Sequence, residues 1–409
     1  MIVTPALDVA LVATARTPVT GRSRSQADRT ADQLASDVIA PLAAAAQTHL
    51  GTDPAGVVLG NCIGPGGNIA RIAALGAGLG QSVPGITVDA QCGSGLAAIV
   101  QAAGHVQLIG APLIAGGTES PSTAPIRTLG GQAYTQAPFT PANWPDPSMT
   151  EAADDLALIR GISRSRQEAA AVRSHDLSLR HAAFAALEIA TSPDGLTRGY
   201  DDGPRRLNAA TASRFSPVRD APGATVTPAT AARIADGAAA VLLAPLQAVQ
   251  HVSIHDGGGS TGVVLSPCRI RATALVGVDP TLPGIAAADA IQSCLDAAGT
   301  RLQDLFAVEI VEAYAAQVLA VVDELGLTGS GTSPAGAEMR FDSRVNATGG
   351  ALALGHPWGA SGAIAVGRLI HRLVAAEPGS LGVAACAIAG GMGVAVLLER
   401  LEDPIGDNQ

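Results

Sequence analysis

The chain reads as an α/β protein made of two similar halves around an insertion, and three observations carry that prediction. Short apolar or β-branched runs alternate with stretches of helical period through most of the 409 residues. The order of elements in one half recurs in the other. Two glycine-rich turns, Cys92-Gly-Ser-Gly95 and Gly359-Ala-Ser-Gly362, each open a helix that leads to a strand ending in Gly-Gly. Strands alternating with helices imply parallel sheets covered on both faces.

Taken in order, Asp8 to Thr14 reads as a buried strand, residues 31–47 as a helix and Gly56 to Gly60 as a second strand. The run from Ile86 to Val100 reads as strand, sharp turn at Cys92, then helix, and Ala111 to Glu119 as the strand after it. Residues 120–224 change character, becoming rich in Pro, Thr, Arg and Asp, and read as a surface insertion of the kind that often forms a binding loop. Its one strong helical stretch starts at Ser163, a good N-cap, and runs to about Leu187. Pro204, Pro217 and Pro222 punctuate its tail before core composition returns at Ala235 to Ala244. The second half begins near Ile270, with a strand at Ala307 to Val311 and a helix from about Ala313. The turn 349–362, a helix over 363–375 and a strand at Leu381 to Ile388 complete it.

Composition bounds the function. A formal net charge of −10 argues against nucleic-acid partners, because a phosphate-tracking face needs clustered Lys and Arg. Five widely spaced cysteines without a C-x-x-C pair suggest neither a disulfide framework nor a metal site, and a reducing cytoplasm is the expected compartment. No run of eighteen uninterrupted apolar residues predicts a membrane span. The loop Gly257-Gly-Gly-Ser lacks the strand and helix context of a dinucleotide fold, which weakens an oxidoreductase reading.

Two residues stand out as chemistry. Cys92, at a glycine-flanked helix start, is placed beside unpaired amides and a positive dipole end that favour thiolate. His356, in Gly355-His-Pro357 on the second glycine-rich turn, would meet it if the halves pair about a pseudo-twofold axis. A histidine there can take the thiol proton or donate to a developing oxyanion. The other histidines fit packed or solvated roles: His175, His181 and His371 within helical patterns, His49 and His105 near helix ends, His251 and His255 beside the glycine loop.

These residues resemble the thiolase family. Asp89-Ala-Gln-Cys-Gly-Ser-Gly-Leu-Ala-Ala98 is similar to its acyl-accepting cysteine motif, and Gly116-Gly-Thr-Glu119 to the segment that follows. Asn346-x-x-Gly-Gly-x-x-x-x-Gly-His-Pro-x-Gly-x-Ser-Gly362 resembles its histidine motif. The resemblance implies the thiolase fold, with two duplicated α-β-α-β-α layered domains and a loop domain that usually binds coenzyme A. It places an N-terminal domain at 1–119 and 225–269, the loop domain at 120–224 and a C-terminal domain at 270–409. It further implies an acyltransferase acting on acyl-CoA thioesters, with no bound cofactor or metal, assembled as a homodimer or homotetramer. Cys92 would carry the acyl group, His356 would activate it, and backbone amides near Gly93 and Gly390 would hold the oxyanion.

The chain also departs from the family pattern. The Asn-Glu-Ala-Phe element appears as Val311-Glu-Ala-Tyr314, which removes the asparagine that anchors a water beside the histidine. Counting back from Gly390-Gly-Met-Gly393, the second family cysteine, acid and base at the substrate α-carbon, becomes Ala387 and its paired glycine Ala389. Counting forward from His356, the same place falls to Cys386 instead. Strand alternation would turn Cys386 away from Cys92 if the first count holds. In the loop domain, Asp146-Pro-Ser-Met-Thr150 replaces the family's His-Met-Gly-Met-Thr, and Ala232 its frequent coenzyme-contacting serine. Acyl transfer is therefore expected, with thiolysis or Claisen condensation depending on Cys386. The competing expectation is a degenerate member that binds acyl-CoA or a partner chain without turnover.

Overall fold

The computed structural model describes residues 1–134, 136–190, 199–252, 262–328 and 341–402. The strands that build the main sheet are β1 (Val9–Arg16), β2 (Val57–Gly60), β3 (Gly85–Val88), β4 (Leu113–Glu119), β5 (Ala235–Pro245), β6 (Val264–Gly277), β7 (Leu305–Ile310), β8 (Leu381–Ile388) and β9 (Met392–Arg400). They lie in the order β7-β8-β9-β6-β1-β5-β4-β2-β3. The order is mirrored about the centre, as a duplication requires, and β6 joins the halves by pairing with β9 along one stretch and β1 along another.

The sheet is mixed, which corrects the expectation of parallel sheets. Among the described residues of this sheet, β2 with β3, β2 with β4 and β7 with β8 pair parallel; β1–β5, β5–β4, β8–β9, β9–β6 and β6–β1 are antiparallel. The physical reason is the connection. A helix crossover returns a strand parallel, whereas β8 reaches β9 through the short turn at Ala389 to Gly391, and the whole insertion separates β4 from β5.

Helices cover the sheet in layers set by strand alternation. On one outer face lie α1 (Ala31–Leu50) and α2 (Ile69–Gly76), whose Leu34, Val38 and Leu42 pack with Val12, Leu59 and Leu242. On the other lie α6 (Ala286–Ala298) and α7 (Ala315–Glu324), packed on Val308, Val383 and Leu397. Between the two half-sheets run α3 (Ser94–Ile109) and α8 (Trp358–Val374), sharing one core with Val9, Val241, Ala384 and Val396. The stack is thus α-β-α-β-α across the molecule. Gln91–Ile109 has the length and apolarity of a membrane span, with a mean hydropathy of 1.2, but it is the core helix of this central layer.

α8 begins at Trp358 rather than 363, so the end of the second glycine-rich turn is helical. Its glycines serve close packing: a Cβ on Gly362 would lie 2.7 Å from Leu96 Cβ, and one on Gly117 only 1.8 Å from the Gly359 carbonyl oxygen. In the insertion, α4 (Met149–Ile159) and α5 (Arg164–Arg180) form as the caps dictate, with Ser163 accepting a hydrogen bond from the Arg166 amide. The expected single helix to Leu187 breaks at His181, and a short second helix, Ala182–Ala186, follows. Buried Glu188 then ties the insertion to both halves through Arg16 at 2.8 Å and His371 at 3.2 Å. His371 also stacks on Phe184, and His175 accepts from the Arg205 amide, so both are packed residues. The glycine loop at 257–261 and His255 lie outside the described residues.

Candidate active site

Cys92 sits on a single 3-10 turn, Gln91–Gly93, between β3 and α3. The residue before it, Gln91, takes the left-handed conformation at φ 48°, a costly geometry for a side chain with a Cβ. Its carbonyl is held there by Ser94 Oγ at 2.6 Å and Cys62 Sγ at 2.9 Å, while Asp89 accepts from its amide at 3.0 Å. A Cβ on Gly93 would strike Ile388 at 2.3 Å, so the missing side chain lets the turn press against the end of β8 in the other half.

The histidine turn is fixed as firmly. Gly355 has φ 115°, and the His356 amide donates to the Arg233 carbonyl at 2.7 Å, which pins the turn to the segment entering β5. Glu119, at the end of β4, ties the segment after β2 to the histidine turn. Its carboxylate accepts from Asn61 Nδ2 at 2.9 Å and the Cys62 amide at 3.1 Å on one side, and from the Gly359 amide at 2.9 Å on the other. Its position after Gly-Gly was visible in the sequence; its bridging of the halves was not.

Both side chains reach one cavity of about 350 Å³, in the range of small-molecule sites. His356 is 5% exposed, and burial pushes its pKa down to about 4, leaving the ring neutral at physiological pH. Nδ1 lies 2.6 Å from Ser361 Oγ, whose own proton goes to the Pro357 carbonyl at 3.1 Å. Ser361 then accepts from Nδ1–H, which leaves Nε2 with its lone pair free, and Nε2 has no hydrogen-bond partner among the described residues. Burial, followed by the charge of Glu119, pushes the Cys92 thiol up to about 12. Desolvation and Glu119 thus oppose the thiolate that the helix start favours, and point to a resting pair of thiol and neutral imidazole. Alkylation of Cys92 by iodoacetamide, followed by mass spectrometry, should accelerate through pH 9 without a plateau; a plateau below pH 8 would contradict a neutral thiol.

The end of β8 bears on the register question. β8 and β9 pair without a bulge from Leu381↔Glu399 to Ile388↔Met392, so no extra residue is absorbed within the ladder itself. Ala387, Ile388 and Ala389 line the cavity, and Cys386 does not. Cys386 is 1% exposed and does not point away from Cys92 as strand alternation suggested; it lies behind it, donating to the Cys92 carbonyl at 3.3 Å. Cys386 thus belongs to the central core, while Ala387 lines the cavity. Val311 is likewise buried in the core rather than lining the cavity. Of the two turns expected to supply amides, the cavity is lined by the adjacent residues Cys92 and Ala389 rather than by Gly93 and Gly390. Thr150, Tyr314 and Gln317, which the sequence reading did not single out as site residues, line it too, as does Ala232.

The family models for the thiolase N-terminal domain and the thiolase C-terminal domain match residues 9–247 and 265–400. The chain belongs to the thiolase family. VraB of Staphylococcus haemolyticus (strain JCSC1435) is 36% identical over 358 residues, covering 84% of this thiolase and 86% of VraB. YhfS of Bacillus subtilis (strain 168) is 36% identical over 379 residues, covering 90% and 93%. Both are named, provisionally, as acetyl-CoA C-acetyltransferases. The crystal structure of the Bacillus anthracis acetyl-CoA acetyltransferase superposes with a TM-score of 0.81 at 29% identity, over 97% of this chain and 100% of that one.

Proposed function

We propose that this thiolase is an acyl-CoA acyltransferase that forms an acyl thioester on Cys92. The observation that carries the reading is the meeting of Cys92 and an unpartnered His356 Nε2 in one cavity. As the sulfur attacks the thioester carbonyl, its proton passes to Nε2; the bond from carbonyl carbon to the coenzyme sulfur breaks, and His356 returns the proton to the departing thiolate. The amides of Cys92 and Ala389 stand as candidate donors to the oxyanion. Transfer to a second thiol runs these steps in reverse.

Carbon–carbon bond chemistry needs one more group, a base at the α-carbon of the second acyl chain. Ala387, Ile388 and Ala389 offer only apolar side chains there. The proposed activity is therefore acyl exchange between thiols, with condensation slow.

Mixing the protein with a short acyl-CoA and no acceptor tests this. About one equivalent of free coenzyme A should be released in a burst, absent in Cys92→Ser and slowed by roughly 10²–10⁴ in His356→Ala. No burst, or one that survives Cys92→Ser, would refute the reading and favour a binding role without turnover.

A further inference from the structure

Gln317, on α7, lines the cavity and is 3% exposed, yet neither its amide nitrogen nor its amide oxygen has a hydrogen-bond partner among the described residues. Of the residues that line the cavity with it, Ala152, Ala153, Leu156, Pro283 and Gly284 have no polar side chain, and Leu156 and Gly284 lie close to it. Gly284 is close enough that a Cβ on it would lie 3.1 Å from Gln317 Cγ, so the side chain is enclosed on that side. A buried amide left unpaired is expensive, and an orphan of this kind in a binding cavity points to a group the cavity receives. A second polar feature shares the cavity: the Tyr314 hydroxyl, three residues earlier, lies 3.2 Å from Thr150 Oγ1 of α4. Met149, Ala153, Leu156 and Ile388 line the same cavity, as do the polar residues Gln91, Gln136 and Ser148.

The character of the guest follows from what the cavity lacks. No Lys, Asp or Glu lines it among the described residues, and its one guanidinium, Arg127, lies over the Tyr134 ring at 5.1 Å. Nε2 carries two N–H donors and Oε1 is an acceptor; a single hydroxyl can accept from one N–H and donate to Oε1. We infer that Gln317 forms a polar subsite selecting acyl-CoA substrates whose acyl chain carries a hydroxyl, rather than plain alkanoyl chains. The inference rests on the acyl-transfer reading above. A site built to pair a substrate hydroxyl discriminates strongly against the analogue that lacks it, because the site's own polar atoms are then buried unpaired.

The test is single-turnover acylation of Cys92, followed by intact mass, with butyryl-CoA against 4-hydroxybutyryl-CoA and valeryl-CoA against 5-hydroxyvaleryl-CoA. The wild-type protein should favour the hydroxylated member of at least one pair by about tenfold or more. In Gln317→Met, similar in shape but without the amide, that ratio should fall to about one. Equal rates or an alkanoyl preference in the wild type would overturn the subsite while leaving acyl transfer intact, and this readout needs no variant to fold. A wild-type preference unchanged in Gln317→Met would overturn the assignment to Gln317. No adduct with any of the four thioesters would overturn the acyl-transfer reading and the subsite with it.

Discussion

Ala387→Cys is expected to raise the rate of 3-ketoacyl-CoA thiolysis by about 10²–10⁴-fold, the usual contribution of a positioned acid–base group. Ala387 lines the same cavity as Cys92 and His356, so a thiol there has access to the α-carbon of a bound second acyl group. Ala to Cys adds one sulfur to a residue that is only partly buried, so the fold should tolerate it. Cys386→Ala provides the contrast. That sulfur is sealed in the core behind the Cys92 carbonyl, and its removal should cost stability through a small cavity while leaving acylation of Cys92 in place. Release of acetyl-CoA from acetoacetyl-CoA measures both. Unchanged thiolysis in Ala387→Cys, or loss of a substantial wild-type thiolysis in Cys386→Ala, would return the acid–base role to Cys386.

Gly117→Ala should be the most damaging single substitution outside the chemistry. Its Cβ would lie 1.8 Å from the Gly359 carbonyl oxygen and 3.0 Å from Gly95 Cα, both backbone atoms that cannot swing aside. The contact is where β4 meets the start of α8 in the central layer, one residue from Thr118 and two from Glu119. Relieving it must move the two halves apart, at a cost of about 3 kcal/mol or more, and must also shift His356 relative to Cys92. Gly104→Ala on the exposed face of α3 is the matched control. A Cβ there meets nothing within 4 Å, so helix propensity alone should stabilise by about 0.8–1 kcal/mol. Denaturant midpoints of the two variants check the pair; a Gly117→Ala protein as stable as Gly104→Ala would mean the halves are not packed this closely.

Local signals carried much of this architecture. Ser163 announced α5, the two glycine-rich turns announced the paired central helices, and Cys92 and His356 lie in motifs long enough to read without neighbours. What escaped depended on tertiary partners. Strand direction is set by the connection rather than by the strand's own residues, so the antiparallel pairing of β5 and β9 with their neighbours was invisible in their apolar runs. The upward push on the Cys92 thiol comes from burial and from Glu119, 27 residues away in sequence, neither of which the helix start alone reveals. Tyr314 and Thr150 are 164 residues apart, and nothing local to either marks them as one pair. The place of Cys386 was open because one residue of register could be absorbed in the motif or in the turn before β8.

Cys92 as the acyl acceptor is the claim on which the rest depends, and three thiols lie close enough to test it sharply. Cys62 donates to the Gln91 carbonyl, and Cys386 to that of Cys92 itself. Burial raises the pKa of both well above that of an ordinary thiol, so neither stands out as the more reactive by charge. The protein is incubated with a short acyl-CoA, quenched in acid, digested and mapped by tandem mass spectrometry. The expected result is one acyl group per chain on Cys92, with Cys62 and Cys386 unmodified and no adduct in Cys92→Ser. An acyl group on Cys62 or Cys386 in the wild type, or none on any cysteine, would contradict it.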